Sequence, residues 1–136
     1  MGIQRVEGKR IGNREQRTVL VVDDDRALAT VVAESLEHVD DELVATYTTE
    51  PEQALSELER RHIDCLVTDY EMPEVDGLTL VDEDTTDTPF ILYTQRRDDG
   101  VVSGARERGG EYLPKQTDAE QYHRLAALVH EQAGDG

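Results

Sequence analysis

Short apolar runs alternate along the chain with stretches whose apolar residues recur every three or four positions. Thr18-Val19-Leu20-Val21-Val22 is unbroken and largely β-branched, the pattern of a central parallel strand covered on both faces. Leu28, Val31, Val32, Ser35, Leu36 and Val39 follow at helical spacing, which predicts a helix with those residues turned inward. Further strands are predicted over Leu43 to Tyr47, Ile63 to Thr68, Phe90 to Tyr93 and Glu111 to Leu113. Thr49-Glu50-Pro51-Glu52 reads as a capping box that opens a helix with Ala54, Leu55 and Leu58 on its inner stripe. Helices are also predicted near 76–83, 98–108 and 117–132. The last begins with a second capping box, Thr117-Asp118-Ala119-Glu120, and buries Tyr122, Leu125, Ala126 and Val129.

Five strands alternating with five helices predict an α/β fold: a doubly wound, five-stranded parallel sheet of flavodoxin-like order 2-1-3-4-5 with right-handed crossovers. In such sheets ligands collect at the carboxyl ends of the strands, where the strand order reverses. Residues 1–17 stand apart. Arg5, Lys9, Arg10, Arg14 and Arg17 face only Glu7 and Glu15, with little periodicity, so this segment reads as a disordered basic arm and residues 18–136 as the domain.

Charge narrows the function. The chain has 31 acidic against 14 basic side chains and a net charge of −17, which argues against a nucleic-acid partner. Lys9 and Lys115 are the only lysines, and abundant Asp and Glu with scarce Lys resembles proteins of halophilic archaea. No apolar run is long enough to span a bilayer, and no signal segment is evident, so a cytoplasmic protein without a membrane partner is expected. Cys65, the single cysteine, lies in an apolar run and reads as a small core residue in a reducing compartment.

The predicted strand ends carry the candidate chemistry. The first strand ends in Asp23-Asp24-Asp25, the third in Asp69, the fourth in Thr94, and Lys115 follows the fifth. Each has an ordinary reading. An Asp run after a strand caps helices, Asp69 is a good turn residue, Thr94 can begin a loop, and lysines are usually solvated. Yet Lys115 is the only lysine after Lys9 in a chain that otherwise uses arginine, so its position favours a compact ammonium over a planar fork. Three carboxylates brought to one edge repel each other, and a divalent cation resolves the repulsion. Magnesium, with about six oxygen ligands, suits carboxylates plus a main-chain carbonyl. His38, His62, His123 and His130 fall in other segments, so no zinc site is expected.

At these residues a resemblance emerges. Leu20-Val21-Val22-Asp23-Asp24-Asp25, Asp69-Tyr70-Glu71-Met72-Pro73 with Asp76-Gly77, Leu92-Tyr93-Thr94 and Tyr112-Leu113-Pro114-Lys115 are similar, in order and spacing, to the signature of two-component receiver domains. The likeness covers about residues 18–133, with no effector domain after the last helix, and suggests a stand-alone receiver of haloarchaeal type. It implies a signalling domain rather than an enzyme. Asp69 would accept a phosphoryl group from a sensor histidine kinase, and Asp23, Asp24, Asp69 and the Glu71 carbonyl would hold Mg²⁺. Thr94 and Lys115 would contact the bound phosphoryl group, and Thr94 with Tyr112 would act as the switch. Output would pass through the fourth helix, fifth strand and fifth helix to an unknown downstream protein, from a monomer or a weak dimer.

Departures from that signature also predict differences. Gln116 follows Lys115 where proline is usual, so a trans peptide is expected there. Gln95 replaces a small residue after the hydroxyl and narrows access to the site, and Asp82 to Asp87 leave room only for a short third helix. Glu71 and Arg96, two places after Asp69 and Thr94, carry opposite charges that either roof the site or stay solvated. Two other readings compete. One is a degenerate receiver that only binds proteins. The other is a phosphohydrolase of the haloacid-dehalogenase type, for which Asp23-Asp24-Asp25-Arg26-Ala27 fails at Ala27 and which leaves Asp69 without a role.

Overall fold

The computed structural model of the protein describes residues 4–5 and 16–134. The elements run β1 (Gln4–Arg5), β2 (Arg17–Val22), α1 (Arg26–Val39), β3 (Leu43–Thr48), α2 (Pro51–Arg60), β4 (Cys65–Thr68), α3 (Gly77–Glu83), β5 (Phe90–Thr94), α4 (Asp99–Glu107), β6 (Glu111–Pro114) and α5 (Glu120–Ala133). Strands β2 to β6 are parallel, and the sheet order is β1-β3-β2-β4-β5-β6. The parallel part is the flavodoxin-like order 2-1-3-4-5, with β2 as its first strand.

The sixth strand is an addition that no periodicity in the chain announces. Gln4 and Arg5 pair antiparallel with Tyr47 and Thr46 on the outer edge of β3. Elsewhere on β3, the Ala45 amide donates to the buried Glu37 carboxylate of α1 at 2.7 Å, so a helix side chain also helps close that edge. For residues 1–3 and 6–15 the expected disorder lies outside the described residues. Arg17, counted with the arm, instead begins β2.

Alternation along the strands divides the core. Val19, Val21, Ala45, Val67, Ile91 and Tyr93 face α1 and α5, whereas Leu20, Val22, Leu66, Phe90 and Leu92 face α2, α3 and α4. Burial on both faces, at about 1.5–3 kcal/mol per large apolar side chain, explains why these strands are unbroken apolar runs.

Packing corrects three details of the helices. In α1 the buried residues are Ala29, Val32, Ala33, Leu36 and Glu37, while Leu28 and Val31 are 39% and 44% exposed. The two alanines face the sheet and leave Leu28 and Val31 outside, while Val32 and Leu36 of the expected stripe stay buried and Val39 packs against the core. Neither predicted capping box forms: α2 starts at Pro51 after Glu50, with no side-chain cap, and α5 starts at Glu120 after Ala119. In α5, Gln121 is buried with Leu125, Ala126 and Val129, and Tyr122 is only partly covered. The third helix is short, as expected, at 7 residues.

Candidate functional site

Strands β2, β4, β5 and β6 run in one direction, so Asp23, Asp69, Thr94 and Lys115 arrive at one edge of the sheet. They line a cleft of about 380 Å³ together with Asp24, Asp25, Leu28, Glu71 and Gln95. The triple-aspartate run divides its labour. Asp25 caps α1, its Oδ1 accepting from the Leu28 amide at 3.2 Å, while Asp23 and Asp24 remain with the cleft.

Asp23 is the deepest carboxylate, 3% exposed. Its Oδ1 accepts from the Asp25 amide at 2.9 Å and its Oδ2 from Lys115 Nζ at 2.8 Å. The same ammonium lies 3.5 Å from Asp69 Oδ2, and Asp69 Oδ1 accepts from the Tyr70 amide at 2.7 Å. Burial pushes the Asp23 carboxyl above the usual carboxylate range, and the bonds from Lys115 and the Asp25 amide only partly offset it.

One carboxylate oxygen each from Asp23, Asp24 and Asp69 lies within 4.8 Å of the others. This oxygen-only set fits a small hard cation such as Mg²⁺. The histidines lie elsewhere. His62 bonds Asp64 at 2.8 Å, His130 bonds Asp40 at 2.8 Å beside Glu42, and His38 and His123 line a separate hollow between α1 and α5.

Glycine at position 77 is a steric requirement of the site. A Cβ there would lie 2.3 Å from the Asp69 carbonyl oxygen and 2.9 Å from Leu92 Cδ1. Helix α3 can therefore start against the backbone of Asp69, with its N-terminus capped by Asp76.

Thr94 is 1% exposed, and its Oγ1 accepts from the Arg96 amide at 3.3 Å. Tyr112, half-buried against the core on the Phe90 side, donates its hydroxyl to the Arg96 carbonyl at 2.6 Å. The Arg96 guanidinium reaches Glu71 at 2.5 Å and Asp98 at 3.0 Å and lies 5.4 Å from the Tyr70 ring centroid. Gln95 is exposed and lines the cleft. No cis peptide occurs among the described residues, Lys115-Gln116 included.

Two contributors carry no clear mark in the sequence. Arg97 donates to the Lys115 carbonyl at 3.1 Å, and Gln121 holds both the amide and the carbonyl of Gln116. The only available signal was Gln116 itself, which brings an N–H to a place where proline has none.

Comparison with known proteins gives the family and the fold. Residues 19–127 match the family described as the response regulator receiver domain. Curated relatives include the transcriptional regulatory protein CpxR of Escherichia coli, 33% identical over 115 residues, covering 82% of this chain and 48% of CpxR. The cyclic di-GMP phosphodiesterase response regulator RpfG of Xanthomonas campestris is 31% identical over 96 residues, covering 67% of this chain and 25% of that protein. The chain thus spans about half or less of these relatives. Among solved structures, the receiver domain of the Francisella response regulator 1452 aligns with a TM-score of 0.74 at 23% identity, covering 87% of this chain and 97% of that one. A CheY-like receiver domain protein from Methanospirillum hungatei aligns at 0.72 and 18% identity over 89% of this chain and 99% of that one. At such identities the structural likeness speaks for the fold.

Proposed function

The chain belongs to the response regulator receiver domain family, and from that premise we propose that Asp69 accepts a phosphoryl group from a sensor histidine kinase in an Mg²⁺-dependent reaction. The observation that carries the proposal is the placement of Lys115 Nζ, 2.8 Å from Asp23 and 3.5 Å from Asp69, at a carboxylate cleft that also holds Thr94. An Asp69 oxygen attacks phosphorus in line with the departing imidazole of a phosphohistidine. The new P–O bond forms as the P–N bond breaks, and the imidazole leaves with the electron pair and takes up a proton. Charge spreads over the equatorial oxygens, so catalysis comes from positioning and cationic stabilisation.

Lys115 and the Thr94 hydroxyl are this chain's own stabilisers of that charge. Asp23, Asp24, Asp69 and the Glu71 carbonyl would hold Mg²⁺, which supplies neutralisation of the phosphoryl oxygens when bound. The product is an acyl phosphate. Its charge draws Thr94 inward, Tyr112 follows, and the face of α4, β6 and α5 changes shape for a downstream protein. No helix among the described residues is long and apolar enough to cross a membrane, which suits a cytoplasmic relay.

The test is incubation with acetyl phosphate and Mg²⁺. A Mg²⁺-dependent mass gain of one phosphoryl group, absent in Asp69→Asn, supports the reading. Continuous release of phosphate without a stable adduct favours a hydrolase. No reaction, with the acidic cleft intact, leaves a protein-binding module.

A further inference from the structure

Gln121 sits in the first turn of α5 with 4% exposure, a buried carboxamide on a helix face that is otherwise apolar. A carboxamide offers two donors and two acceptor positions, and here all four are used. Nε2 donates to the Gln116 carbonyl at 2.8 Å and to the Asp118 carbonyl at 2.7 Å. Oε1 accepts from the Gln116 amide at 3.0 Å and from the Tyr93 hydroxyl. Residues 116–120, which lead into α5, are all exposed. Their place is therefore set by hydrogen bonds and not by apolar packing: by this network, and by the Asp118 carboxylate, which accepts from the Gln121 amide at 3.1 Å and from Arg124 at 3.3 Å.

Both ends of the network lie beside the site. Gln116 is bonded to Lys115 in the chain, and Tyr93 immediately precedes Thr94. The Tyr93 ring lies 5.7 Å from Lys115 Nζ, and the Lys115 amide donates to the Thr94 carbonyl at 2.9 Å. One buried side chain thus ties the segment carrying the ammonium to the strand carrying the hydroxyl, and ties both to α5. A residue with only a packing role at this position would be met more simply by leucine.

We propose that Gln121 is a positioning residue: with Tyr93 it locks the segment after β6 so that the Lys115 ammonium is held between Asp23 and Asp69. The inference deepens the phosphoacceptor reading and rests on it for its kinetic consequence, but its structural core can be read without any phosphoryl transfer.

The chain has only two lysines, so lysine labelled with ¹³C at Cε gives two signals, with Lys9 as internal reference and assignments from Lys9→Arg. In the wild type the Lys115 signal should be well separated from that of Lys9. Gln121→Leu, and Gln121→Glu, which keeps the size but loses both donors, should move the Lys115 signal most of the way toward Lys9. Tyr93→Phe should move it part of the way. An unmoved Lys115 signal in any folded Gln121 variant overturns the proposal. The initial rate of acetyl phosphate labelling, measured below each melting temperature, should fall about tenfold or more in Gln121→Leu, as expected when a charge-stabilising group is misplaced. In a Lys115→Ala background the same change should cost nothing further, because Gln121 acts through Lys115. Equal losses in both backgrounds would show a general structural role and overturn the proposal. A wild type that takes no phosphoryl group sinks the phosphoacceptor reading, while the lysine signals still decide this one.

Discussion

Arg96 Nη1 lies 2.5 Å from Glu71 Oε2 and joins the residue two places after Thr94 to the residue two places after Asp69. Of the two sequence-based outcomes, a roof or two solvated charges, the structure adopts the bridge. Arg96 is further held by Asp98 at 3.0 Å and lies over Tyr70. Both partners are exposed, so the bridge contributes little to stability. Glu71 lines the cleft that holds Asp69, so the expected effect of the bridge is to screen a phosphoryl group carried there. Glu71→Ala and Arg96→Ala should each speed loss of phosphate from labelled protein a few-fold, about 2–10 times, and the double variant should match the singles. Decay rates unchanged in both singles, at fixed high salt and saturating Mg²⁺, would remove the roof and leave Gln95 as the shielding residue.

Lys115→Arg preserves charge but not shape. The ammonium is 10% exposed and serves two carboxylates as a point charge, where a planar guanidinium with a fixed fork does not fit. Labelling by acetyl phosphate should fall by about an order of magnitude or more. Wild-type rates in this variant would show that any cation suffices.

Gly77→Ala tests the packing beneath Asp69. With a Cβ 2.3 Å from the Asp69 carbonyl, either α3 or the Asp69 backbone must move. A loss of about 1–3 kcal/mol in urea unfolding is expected from such overpacking, together with slower labelling of Asp69. Unchanged stability and rate would mean that the helix shifts freely.

The pH dependence follows from Asp23. Its folded-state carboxyl titrates above the ordinary 3.8 because burial disfavours the charge, so the stability it contributes is fully present below the unfolded value and is lost as pH rises through the folded one. Acidification across that window should therefore favour the cation-free domain and weaken Mg²⁺ binding, since protons and the cation compete for one carboxylate. Calorimetric titration with Mg²⁺ at stepped pH checks this. Affinity that stays constant until the unperturbed aspartate range would contradict it.

Salt should matter for a chain of net charge −17. Melting temperature should fall as KCl is lowered from molar concentrations to about 0.1 M, where the screening length grows from about 3 Å to about 10 Å. Mg²⁺ should restore part of the loss by binding the folded state. A melting temperature flat across that range would end the comparison with halophilic proteins.

The strand pattern and the site were legible in the sequence for one reason: both depend on strand ends. Once Val19 to Val22, Cys65 to Thr68 and Phe90 to Thr94 are buried parallel strands, the topology carries Asp23, Asp69, Thr94 and Lys115 to one edge whatever the helices do in detail. Other features needed the tertiary structure, because they depend on which of several equivalent local solutions packing selects. Apolar periodicity alone could not tell that the alanines of α1 would turn Leu28 and Val31 outward, nor that Gln4 and Arg5 would find a partner on β3. Local propensity favoured two capping boxes, yet at α5 the Asp118 carboxylate accepts from the Gln121 amide, while the buried Gln121 side chain satisfies the carbonyls and amide of the loop before the helix. Whether Glu71 and Arg96 meet is likewise undetermined by residues 25 positions apart in the chain, since solvation and pairing of exposed charges differ so little in free energy that only the aim of the two loops decides.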